Sequence, residues 1–132
     1  MAKELSEMPL EEQFDLYISV YGSPTYSTMF GASYIMAMRG EGILPYLKEK
    51  LSIEHDPFRI MAICAIFERM AEICIPVDEH HDIIEIIGNK RQYLKLNIHK
   101  KYLNDVLGAI KEVRYIEHCN NIKRDWQGKI SH

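Results

Sequence analysis

The chain is expected to be all-α, a helical bundle or short α-α solenoid of about five to six helices. Three observations predict this. Apolar residues recur at spacings of three and four through most of the 132 residues. Serine-proline, aspartate-proline and glycine signals punctuate those stretches at helix-length intervals. No Asn-Gly or Asp-Gly hairpin turn occurs anywhere.

Pro9, Glu11 and Glu12 suit a first helical turn, and Leu10, Phe14, Tyr17, Ile18 and Tyr21 follow as a stripe, predicting a helix over 9–20. Gly22 stops it, and Ser23-Pro24 starts a second helix that runs to about Met38 and ends at Gly40. Ile43, Leu44, Leu47 and Leu51 line one side of a third, over 41–53, with Pro45 tolerable only in its first turn. Asp56-Pro57 repeats the start signal. The run from Phe58 to Ile75 is apolar nearly all round, which predicts the central and most buried helix, closed by Pro76. Asp78 can cap a short helix through Ile87, ended by Gly88-Asn89. A last, basic helix carries Leu103, Val106, Leu107, Ile110 and Val113 in register, with a break expected near Asn97 and fraying after about Asn120. The β-branched run Ile83–Ile87 is the best strand signal, and it is short.

An apolar content of 47% and a charged content of 27% exclude a disordered or fibrous chain, and the length suits one domain over 1–132. No apolar run follows Lys3 and none is long enough to cross a bilayer, so neither a secretory signal nor a membrane partner is expected. Cys64, Cys74 and Cys119 are odd in number and lack framework spacing, which predicts reduced thiols and a cytoplasmic protein. Cys64, in an apolar run, reads as a small hydrophobe. The net charge of −3 is unevenly placed. Residues 1–15 carry one basic and five acidic side chains, residues 16–88 five and ten, and residues 89–132 ten and four. Such polarity serves an acidic face for a basic partner, packing between halves, or solubility.

Sliding the chain by 33 residues lays Ser23-Pro24 on Asp56-Pro57, Ala32 on Ala65 and Tyr34 on Phe67. A period of this length is that of helical solenoids. The unit from Ser23 to Leu51 resembles a HEAT-like repeat, with a first helix containing Ala32, a turn at Gly40 and a second helix ending at Leu51. In the second unit Asp56, Arg59, Ala62 and Ala65 are similar to that family's D-x-x-V-R-x-x-A pattern, although Phe58 replaces the branched residue and the helix after Pro76 is less orthodox. The resemblance covers roughly residues 23–87 and implies binding to protein or nucleic acid by a helical surface, with no chemistry. An ordinary bundle produces the same small residues and start signals.

Catalytic signatures are missing. Neither phosphate-cradling glycine pattern is present, Gly40-Glu41-Gly42 being too short, and G-x-S-x-G, H-E-x-x-H and C-x-x-C are absent. An enzyme and a cofactor are therefore not expected. The alternative of a metal-dependent enzyme rests on His80, His81 and Glu85, because His81 and Glu85 fall one helical turn apart. Asp78 and Glu79 beside them are explained by helix capping. Glu68 and Glu72 could form an inward carboxylate pair, but no Glu-x-x-His partner exists and Arg69 suggests an ion-paired face. Tyr26, Met29, Tyr34, Met36 and Met38 crowd one helix and suit either a core or an interface. The basic C-terminal segment supplies a nucleic-acid alternative through Lys100, Lys101 and Arg114, with Tyr93, Tyr102, Tyr115 and Trp126 for stacking. Asp105, Glu112 and Glu117 interrupt that stripe.

The leading expectation is a small protein-binding module, of the kind of a bacterial immunity protein that neutralises a toxin by direct binding. Its partner-binding residues are expected to be Glu41, Glu49, Glu54, Glu68, Glu72, Asp78, Glu79, Asp82 and Glu85, an acidic set complementary to a basic partner.

Overall fold

Asp56 opens the helix around which the others are arranged. Its backbone is extended, its carboxylate accepts from the Arg59 N–H at 3.1 Å, and Pro57 occupies the first helical position, where no N–H is needed. Replacing Asp56 by alanine should therefore cost about 1 kcal/mol of stability, read by denaturant unfolding. An unchanged midpoint would mean that water replaces the cap without loss.

The computed structural model of the chain describes residues 8–21, 26–112 and 119–121, with backbone alone for residues 26–31. Six α-helices follow one another: α1 (Leu10–Val20), α2 (Tyr26–Ala37), α3 (Leu44–Ile53), α4 (Pro57–Glu72), α5 (His81–Asn89) and α6 (Asn97–Lys111). Residues 119–121 are also helical, and no strand occurs among the described residues. The protein is thus all-α, as its periodicity dictates. Ile83–Ile87 lies within α5, where Ile83 and Ile87, one turn apart, are both buried. Short 3-10 turns precede α3 at Glu41–Ile43, precede α5 at Val77–Glu79 and follow α5 at Lys90–Tyr93.

Burial makes α4 the centre. Ile60, Ile63, Cys64, Ile66, Phe67 and Met70 are closed to solvent on several sides of it, because α2, α3 and α6 all pack on it. α2 and α6 both pack on α4, while α3 and α5 pack on each other and on α4 and α6 respectively. α1 rests on α2, and the buried Tyr17 hydroxyl donates to the Ala62 carbonyl at 2.7 Å, tying α1 to α4 as well. Among the described residues no helix is long and apolar enough to cross a membrane.

Three helix ends differ from their sequence signals. α4 stops at Glu72, before the expected Ile75, because Ile75 N–H bonds back to the Met70 carbonyl at 2.9 Å and Cys74 N–H to Ala71 at 3.2 Å. This Schellman closure needs a left-handed residue, and Cys74, at φ 71°, takes the place usually held by glycine. α5 begins at His81, with Asp78 in the preceding 3-10 turn, and it runs on through Gly88 and Asn89. Gly40, at φ 87°, does serve as the expected stop after α2. The signals at Gly22 and Ser23-Pro24, and the expected fraying after Asn120, lie outside the described residues or at their edge.

Cys74 is bonded to Cys119, 45 residues away, with the two Cα atoms 5.1 Å apart. The expectation of three reduced thiols is corrected accordingly. Only Cys64 is free, and it is fully buried, with its thiol pushed up to about 12 by burial and by the nearby Glu68. Sequence spacing could not reveal the pair, since it depends on residues 119–121 returning to the end of α4.

Candidate interaction face

Carboxylates from elements far apart in sequence come together on one side of the molecule. Glu11 on α1 accepts from the Tyr46 hydroxyl and from Lys50 Nζ at 3.0 Å, both on α3, and these bonds hold its carboxyl below the usual range. Tyr46 is in turn pushed well above the ordinary phenol range, first by burial, then by its bond to Glu11 and by the charges of Asp15 and Glu49. Glu11 thus ties α1 to one half-buried tyrosine of α3, whose ring edge meets Phe14 at 5.6 Å.

Beside this patch an open groove of about 480 Å³ runs between α1 and the start of α4. Phe14, Ile18 and Ala62 supply its apolar surface, while Asp15, Glu54 and Asp56 give it negative charge. Arg59 is its cation, 3.8 Å from Glu54. The loop carrying Glu54 is held from behind by Lys90. That side chain, only 5% exposed, donates to the Ser52 carbonyl at 3.1 Å and to the Glu54 carbonyl at 2.8 Å. It thereby adds a cation and two donors at the negative end of α3, where the Glu54 N–H already bonds the Leu51 carbonyl at 3.1 Å.

The nine carboxylates expected to bind a partner divide among three places. Glu49 and Glu54 belong to the α1–α3 side just described. Glu41, Glu79, Asp82 and Glu85 are exposed near the α3–α5 edge, where His80 Nε2 meets Glu41 at 3.1 Å and Lys48 meets Asp82 at 2.6 Å. Lys48 and the Ile83 N–H hold the Asp82 carboxyl below its ordinary range, and Asp78 is half-buried. Glu68 and Glu72 point elsewhere. Both pair with Arg69, at 3.3 and 2.6 Å, and Arg69 also covers the Tyr34 ring while Tyr34 donates to Glu72. This is the ion-paired face that Arg69 suggested.

Burial raises the Glu68 carboxyl, reinforced by the charges of Glu72 and Asp105 and opposed by Arg69. A folded-state pKa above the unfolded value of about 4.3 means that the fold binds this proton more tightly. The corresponding stability is present below that pH and is lost as pH rises through the raised value. Glu68→Gln, which mimics the protonated form, should therefore gain stability relative to the parent between pH 4 and pH 7, in thermal melts across about that range. A difference that stays flat or shrinks with rising pH would contradict the burial argument.

Other sequence candidates are dispersed. Among the described residues no three histidine, cysteine or acidic side chains gather to hold a metal ion. His80 is turned to Glu41, and His81 and Glu85 are exposed on α5. Lys100 is half-buried and Lys101 exposed on α6, while Arg114, Tyr115 and Trp126 lie outside the described residues. Tyr93 stacks on His55 at 4.5 Å, and Tyr102 is half-buried with its hydroxyl beside that of Tyr21. Met36 is in the core, Met38 is exposed, and the side chains of Tyr26 and Met29 are outside the description. The sequence reading missed Glu11, Asp15 and Phe58 as site residues. The acidic bias of residues 1–15 was the available signal for the first two. Compared with protein families, with characterised proteins and with solved structures, the chain matches none.

Proposed function

We propose that the protein is a binding module whose acidic face receives a basic protein partner, acting as a bacterial immunity protein acts on the toxin it neutralises. One observation carries the reading: Glu11 of α1 is bonded to Tyr46 of α3, and Asp15 of α1 shares a groove with Glu54 and Asp56 from the loop before α4. Carboxylates brought together from separate helices raise the local potential and speed encounter with a basic surface. The packing of α2 and α6 on α4, and of α3 on α5, supports a HEAT-like reading, in which stacked helices present an extended binding surface.

The test is a tagged pull-down from nuclease-treated native lysate, with the co-eluting proteins identified by mass spectrometry. One stoichiometric basic protein, released by added salt and lost when Glu11, Asp15 and Glu49 are reversed to lysine, is the expected result. Nucleic acid recovered only without nuclease would replace this reading with the Lys100-Lys101 alternative. A cytoplasmic location belongs to the same proposal and would expose the Cys74–Cys119 pair to a reducing thiol pool. Alkylation in intact cells, followed by non-reducing mass spectrometry, reads whether the pair is bonded there.

A further inference from the structure

The groove between α1 and the start of α4 differs from the rest of the acidic surface in joining charge to an apolar floor. Phe14 and Ala62 are buried at its base and Ile18 is half-buried beside them. Phe58 stands at its rim with 57% of its surface exposed, an uncommon position for a phenylalanine in the first turn of a helix. Its ring meets His99 edge-on at 6.0 Å, and the neighbouring Ile98 is 71% exposed, so apolar surface continues from the groove towards α6.

Three carboxylates face one guanidinium in this groove. Glu54 accepts from the His55 and Asp56 N–H groups and Asp56 from that of Arg59, bonds that orient both carboxylates without neutralising them. Asp15 is exposed on the opposite wall. The walls are braced, because Tyr17 pins α1 to the Ala62 carbonyl and Lys90 pins Glu54, so little ordering is required when something enters. An open groove also suits a length of polypeptide better than a small molecule, which needs most of its surface enclosed.

From this we infer that the groove receives a basic segment of a partner polypeptide, with one large apolar side chain seated between Phe14, Ile18 and Phe58 and its flanking lysines or arginines beside Asp15, Glu54 and Asp56. The inference rests on the binding-module reading and names where, and by what chemistry, the partner engages. Apolar contact supplies the anchor, and the carboxylates select a cationic flank over an acidic one.

The full chain, isotopically labelled for amide NMR, is titrated with three short synthetic peptides of equal length: lysine with leucine and one tryptophan, the same peptide with glutamate for lysine, and oligolysine. The first is expected to bind and to shift the amides of Ser19, Phe58 and Ala62, the other two at least about tenfold more weakly. Asp15→Lys and Phe58→Ser, both at exposed side chains and checked for unchanged melting, should each weaken it about tenfold, whereas Glu112→Lys at the exposed end of α6 leaves it unchanged. Oligolysine binding equally well, shifts located outside the groove, or no binding would overturn the inference. So would groove shifts produced by raising protein concentration alone, which would make a second copy the occupant. A stoichiometric partner retained by both groove variants overturns the groove but spares the module; peptide binding without any captured partner does the reverse.

Discussion

Cys119→Ser is expected to destabilise the fold by up to about 4 kcal/mol, the loop-closure entropy that a crosslink across 45 residues removes from the unfolded chain. A strain common to the bonded and unbonded forms lies beside it. Cys74 sits in the left-handed region, which costs an L-residue about 1–2 kcal/mol, and the Schellman closure of α4 requires that conformation whether or not the bond is present. Two consequences follow for denaturant unfolding. Reductant should lower the midpoint of the parent and leave Cys119→Ser unmoved. Within the Cys119→Ser background, Cys74→Gly should then be more stable than Cys74→Ala by about 0.5–1 kcal/mol, glycine's freedom in the unfolded chain offsetting part of the relief. Equal midpoints for parent and Cys119→Ser without reductant would show that the bond contributes nothing to stability. Alanine matching glycine at position 74 would show that α4 closes differently once the bond is gone.

Lys90→Ala is expected to cost about 2–3 kcal/mol, since it removes two charge-assisted hydrogen bonds, the ammonium's place 5.1 Å from the centre of the Tyr93 ring and the packing of a buried stem. Burial lowers the ammonium's pKa, so part of the gain from those bonds is spent on desolvation, and Lys90→Met, which keeps the stem, should lose less. Thermal melts of the two variants separate the contributions. If Lys90→Met is as stable as the parent, the carbonyls of Ser52 and Glu54 are served by water and the capping argument fails. The same variant bears on the groove, because Glu54 is positioned through the carbonyl that Lys90 holds.

Much of the site was hidden from the sequence for a definite reason. Formal charge can be summed along a chain, so the acidic bias of residues 1–15 and the basic bias of 89–132 were plain. Which charges are neutralised cannot be summed. Lys90 reads as one more cation of a basic segment, yet it is the most deeply buried charged side chain among the described residues and serves α3 from 36 and 38 residues away. Glu68 and Glu72 count with the acidic set, yet Arg69 holds both, and Asp15, which was not in that set, lines the groove. Tyr93 and Tyr102 show the same limit for aromatic residues.

What the sequence by itself determined was local: the helical class, the stop at Gly40, the cap at Asp56 and the dominance of the central apolar run. Each depends on residues within a turn or two of one another, where backbone geometry and solvent transfer act without reference to the rest of the chain. The tertiary structure alone decided that Cys74 meets Cys119, that Lys90 caps α3, that Tyr17 bonds α4, and that Asp15, Glu54 and Phe58 border one groove. Those pairings depend on how helices layer on α4, and the packing of side chains between layers, summed over many weak contacts, carries no short-range signature.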